Sequence, residues 1–123
     1  MARAFAVLAP LVVLVIIVQG ILFAGGIYEE PDLNDAHRWV GEVSLVAVVV
    51  LIPLGFLARF PRRLWIEPLT VLMAVLWIVQ IELGFLIEDE RWVSMLHIPN
   101  SFLIFALALI LTARVHRAMR GKF

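Results

Sequence analysis

Two histidines carry most of the chemistry this chain can offer. His37 and His97 each fall within the first turns of a long apolar run. Neutral imidazole is a good ligand for haem iron, and bundle interiors hold metals and cofactors between facing helices. Two imidazoles meeting across such an interior form an axial pair. With no cysteine in the sequence, disulfides, thiolate metal sites and covalent haem attachment are excluded, which leaves non-covalent haem b as the simplest group. Bis-histidine ligation leaves no open position for oxygen and favours electron transfer. The plainer reading is two unrelated interfacial histidines. His116 sits in a basic tail among Arg114, Arg117 and Arg120 and reads as solvated or headgroup-facing. No nucleophile with its base, phosphate-cradling glycine loop or zinc motif is present, so hydrolase and nucleotide chemistry lack support.

The neighbours of the pair suit a flat ring. Gly41 lies one turn after His37, while Gly20 and Gly84 thin the same level of two other apolar runs. A macrocycle can approach backbone where a side chain is missing. Close helix packing explains small residues equally well. Arg38 and Arg91 each follow or precede a histidine closely and are candidate partners for haem propionates; the alternative is pairing with Asp35, Glu88 or Glu90. Gln80 and Gln19 are candidates to orient a histidine and fix which ring nitrogen is free. Asn100 reads as a partner for backbone freed by Pro99, and Trp77 as core or a cofactor wall. Together the candidate cofactor residues are His37, His97, Gly41, Arg38, Arg91, Gln80, Gly20 and Gly84, with His37 and His97 as metal ligands.

Apolar runs must position these groups. The 123 residues are 63% hydrophobic with a mean hydropathy of +1.03, far above an ordinary soluble domain. Spans are predicted at residues 5–27, 36–58, 64–87 and 92–113, each near the roughly 20 residues a bilayer requires. The first is too long for a signal-peptide core and reads as a retained span. Asn34 or Asp35 is expected to cap the second helix. Short connections make consecutive helices antiparallel neighbours, which gives an all-α, up-down-up-down four-helix bundle as a single domain over residues 1–123. No unit of 20 to 50 residues repeats with identifiable residues.

Charge sets the expected orientation. Arg3, Arg59, Arg62, Arg63, Arg114, Arg117, Arg120 and Lys122 fall on one side, and Glu29, Glu30, Asp32, Asp35, Glu88, Asp89 and Glu90 on the other, with only Arg38 and Arg91 as basic residues there. By the positive-inside rule both termini are cytoplasmic, in a bacterial plasma membrane, and both histidines lie toward the outer face. The second and fourth helices then run the same way, diagonally opposite across the interior.

The pattern of Gln19-Gly20, His37 with Gly41, Gln80 with Gly84, and Leu96-His97 followed by Asn100 resembles a family of uncharacterised small bacterial four-helix membrane proteins. It also looks like one half of haem A synthase, whose four-helix halves each hold a histidine pair on their second and fourth helices. The resemblance spans nearly the whole chain and implies a b-type haem held by His37 and His97. The family's second half and its glutamate-assisted oxidation site have no identifiable counterpart here.

The leading expectation is a membrane b-type cytochrome for electron transport, with the lipid bilayer as solvent and a redox partner, a larger membrane complex or a second copy as associates. No nucleic-acid partner is expected. The alternatives are a cofactor-free accessory subunit packed on a larger complex, and an enzyme acting on haem or quinone.

Overall fold

The computed structural model describes residues 1–28, 30–87 and 90–121, with Arg91 described by its backbone alone. Four helices make up the chain: α1 (Ala2–Tyr28), α2 (Asp32–Ala58), α3 (Ile66–Leu86) and α4 (Ser94–Met119). Short 3-10 turns, Arg62–Leu64 and Arg91–Val93, precede α3 and α4. No strand occurs among the described residues. All four helices are long and apolar enough to cross a membrane, the mark of a multi-pass membrane protein.

Each helix packs on two neighbours, α1 on α2 and α4, and α3 on α2 and α4. Phe5 near the start of α1 meets Phe60 just past the end of α2, ring edge to face at 5.6 Å. Gln19, late in α1, meets α2 near its beginning at His37 and Gly41.

The apolar core occupies one end of the bundle. Phe5, Val48, Leu51, Ile66, Met73, Leu111 and Val115 are fully buried there. In lipid such a core holds through close van der Waals contact rather than through removal of apolar area from water. Gly55 belongs to this packing, since a Cβ there would press on the Phe5 ring at 3.3 Å. The buried Thr70 hydroxyl is satisfied within its own helix, its Oγ1 donating to the Ile66 carbonyl. Arg114 of α4 donates to the Leu64 carbonyl at 2.5 Å, tying the turn before α3 to the far end of α4. That turn is tight because Arg59 and Trp65 both take left-handed backbone, with φ of 52° and 54°.

The start of α2 differs from expectation. The helix begins at Asp32, with Pro31 at the capping position and no side-chain cap. Proline suits that place because its ring fixes φ near helical values, here −54°, and the missing N–H would lack an intrahelical partner anyway. Asn34 instead closes the α1–α2 turn, donating from Nδ2 to the Gly26 carbonyl. At its other end the chain stays helical to Met119, past the expected limit of the fourth span.

Candidate functional site

Both histidines stand in phase with the buried rows of their helices. On α4 the row runs Val93, His97, Asn100, Ile104, Ala108, Leu111, Val115, all buried at helical spacing. On α2 the buried Val48, Leu51 and Gly55 extend back through Ser44 and Gly41 to His37. The same periodicity that fills the core therefore carries both imidazoles into the interior, at the end away from the apolar core.

There the two rings meet. Their centroids are 6.4 Å apart and their planes are inclined at 60°. His97 is buried and His37 half-buried. A metal between two imidazoles sits about 2 Å from each nitrogen, and a five-membered ring with bonds near 1.35 Å has a radius of about 1.2 Å, so two such arms in line set the ring centres roughly 6 Å apart. The 6.4 Å between the two ring centres is of that length. The inclination is compatible with it, because each ring can turn about its own metal bond.

A backbone carbonyl settles the tautomer of His37. His37 Nδ1 lies 3.0 Å from the Gln19 carbonyl of α1. A carbonyl accepts only, so Nδ1 carries the hydrogen and Nε2 keeps its lone pair, the arrangement seen in metal-bound histidines. His97 Nδ1 is buried without a hydrogen-bond partner. The two hairpins repeat a spacing, Gln19 and His37 on α1 and α2 and Gln80 and His97 on α3 and α4, but only His37 has its Nδ1 bonded to the glutamine carbonyl. The repeat is about 60 residues long and confined to a few positions, which hides it from a search for shorter units.

The remaining candidates divide. Gly84 belongs to the site, since a Cβ on it would lie 3.5 Å from His97 Cε1; the imidazole rests on bare backbone. Gly41 serves the Gln19 side chain instead, whose amide occupies the space a Cβ would need, with Nε2 at 2.7 Å. Its carbonyl accepts from Trp77 Nε1 at 3.0 Å. Trp77 is accordingly buried core, tied to α2 one turn from His37. Gly20 is exposed, with no atom within 4 Å of its Cβ position. Arg38 lies exposed with its guanidinium 4.9 Å from the Phe85 ring centre, a cation–π contact between α2 and α3. The side chain of Arg91, and the residues Glu29, Glu88 and Asp89, lie outside the described part of the structure.

Gln80 and Asn100 form a polar clamp. Asn100 Nδ2 donates to Gln80 Oε1 at 2.7 Å and to the Leu76 carbonyl at 2.9 Å. Both bonds cross from α4 to α3, so Asn100 does not serve the backbone opened by Pro99. A buried amide in an apolar setting needs such partners, and α3 supplies both.

Phe23 of α1 was not singled out by its type or spacing. Its ring centre lies 5.5 Å from that of His37 and 6.4 Å from that of His97. In a triangle of sides 5.5, 6.4 and 6.4 Å the median to the histidine pair is about 5 Å and nearly perpendicular to the line joining the imidazoles. That is the plane a porphyrin would take. A macrocycle does not fit there while Phe23 stands where it does. Among the described residues no group of three or more His, Asp or Glu gathers as a fuller metal site.

No family model, curated protein or solved structure matches this chain.

Proposed function

We propose that this chain is a small b-type cytochrome of a bacterial plasma membrane, holding one haem between His37 and His97 for electron transfer. The observation that carries this reading is that two inward-facing imidazoles on α2 and α4 meet with ring centres 6.4 Å apart, a length one metal ion between them would span. The donor state of His37, fixed by the Gln19 carbonyl, supports it. So does the resemblance of the Gln19-Gly20, His37-Gly41, Gln80-Gly84 and His97-Asn100 pattern to one half of haem A synthase.

In this reading the bundle is up-down-up-down with both termini in the cytoplasm, and the site lies in the outer half. The contacts of early α1 with the end of α2, and of late α1 with its beginning, support the first point. The separation of arginines from carboxylates along the chain supports the second. His37 and His97 would hold the group from α2 and α4. Arg38, steadied on the Phe85 face, would meet a propionate at the rim. A haem bound there would be held by His37 and His97 and would supply a one-electron couple.

Purified protein tests this directly. A Soret band that disappears in His37→Ala and in His97→Ala supports the site; colourless wild type after expression with ample haem rejects it.

A second reading, a cofactor-free accessory subunit of a larger membrane complex, draws on one observation: Phe23 packs against both imidazoles. It calls for a colourless protein that co-purifies with a large partner.

A further inference from the structure

The far end of α4 carries a charged surface that the histidine pair does not use. We propose that this surface binds an anionic phospholipid, its phosphate held by Arg117 and Arg120 and its chains laid along the outward face of α4.

The sequence supplies the charge. From Arg91 to Phe123 the chain contains no Asp or Glu, while His116, Arg117 and Arg120 recur at helical spacing. The helix supplies the depth. With 26 residues α4 is about 39 Å long, against roughly 30 Å for the hydrocarbon core of a bilayer, so its arginine-bearing end reaches the headgroups.

The two guanidiniums are free to bind. Arg114 turns inward and donates to the Leu64 carbonyl, but Arg117 and Arg120 are exposed, and neither guanidinium has a hydrogen bond or ion pair with a described residue. Glu67, the only carboxylate between Glu42 and Glu82, lines a separate groove with Arg59 and Arg62. Arginine is matched to phosphate, since its planar fork donates paired N–H bonds to two oxygens.

A groove collects them. Ala113, His116, Arg117 and Arg120 line it, and at roughly 100° per residue these four centre on the side of α4 opposite the buried Val115. The groove therefore faces away from the bundle. His116 Nδ1 donates to the Thr112 carbonyl at 2.9 Å, which leaves Nε2 for an outside partner.

The same face continues as Leu109, Ala106 and Phe102, all exposed. From Phe102 to Ala113 the helix rises about 16 Å, close to the roughly 15 Å of one leaflet's hydrocarbon. A stripe that is apolar over one leaflet and ends in two unpaired guanidiniums has the pattern of a phospholipid: acyl chain, then phosphate.

Native mass spectrometry of the full chain in detergent, with equal amounts of phosphatidylglycerol and phosphatidylcholine added, tests this. Wild type is expected to retain phosphatidylglycerol over phosphatidylcholine by about twentyfold, at roughly fivefold for each arginine brought to an anionic headgroup. Arg117→Gln with Arg120→Gln should bring the two lipids near parity. Arg3→Gln with Arg62→Gln removes the same charge from exposed positions elsewhere and should keep the preference. Ala113→Trp, which fills the groove without changing charge, should weaken it.

Equal retention of both lipids by wild type overturns the site. So does an equal loss in the two double variants, which would assign the preference to the overall charge of the chain. Displacement of the lipid by millimolar inorganic phosphate would assign the groove to free phosphate and overturn the lipid. Haem content has no part in any of these outcomes, so the site stands or falls apart from the histidine pair.

Discussion

The backbone carbonyl of Gln19 accepts a hydrogen bond from His37 Nδ1 at 3.0 Å. This bond spans α1 and α2, holds the imidazole inward and leaves Nε2 as the free donor atom. It also shows why the glutamine side chain is not what orients the ring. That side chain lies over Gly41 instead, with its Oε1 buried and unpartnered. Because the orienting group is main chain, no substitution of Gln19 removes it; Gln19→Leu is expected to keep haem content near wild type, measured by pyridine haemochrome. Loss of haem in that variant would assign the orienting role to the amide.

The clamp between Asn100 and Gln80 joins α3 to α4 one turn from His97. Hydrogen bonds between membrane helices are worth about 0.6 kcal/mol on average and up to about 1.7. Asn100→Leu should therefore lower stability in detergent by about 1 kcal/mol, read from a denaturant titration. Gln80→Leu combined with it should cost less than the two single changes together, because each single change leaves the other group unpartnered.

Trp77 combines volume with one hydrogen bond, from Nε1 to the Gly41 carbonyl. Trp77→Phe keeps most of the volume and should cost about 1 kcal/mol. Trp77→Ala opens a cavity in the core and should cost about 3–5 kcal/mol. A similar loss for both variants would mean that the hydrogen bond dominates.

Two glycines of α1 should respond oppositely. A Cβ at Gly26 would lie 2.9 Å from the Asn34 backbone nitrogen, so backbone must move. Gly26→Ala is expected to destabilise the α1–α2 turn by about 1–3 kcal/mol. Gly20→Ala meets nothing within 4 Å and should be neutral or stabilising by up to about 1 kcal/mol, the gain of alanine over glycine in a helix. Thermal unfolding of both variants, side by side, checks the contrast.

Much of this was legible in the residues. Uninterrupted apolar runs announced four helices, because a chain dissolved in lipid must satisfy its backbone within each segment. His97 and Asn100 sit three apart in a row that continues to Val115, and His37 and Gly41 lie one turn apart on α2, spacings that follow from helical geometry. What the sequence hid was the partner of each polar group. Asn100 reaches across to Gln80, and His37 to a carbonyl, since hydrogen bonds between helices leave no mark in either run alone. Phe23 was invisible for another reason: it is one of eight phenylalanines, and its position matters only because two imidazoles converge beside it. The start of α2 falls before the caps that Asn34 or Asp35 would give because Pro31, with its fixed φ, serves the same end.

The central claim is that the spacing of His37 and His97 exists to hold one iron. A reduced-minus-oxidised absorption spectrum of the purified protein, with haem content per chain, measures this most directly. The account predicts one haem b per chain with the sharp α and Soret bands of a low-spin, bis-histidine centre, lost in His37→Ala and His97→Ala. A spectrum with no haem bands in wild type, in Phe23→Ala and after reconstitution with hemin would contradict it.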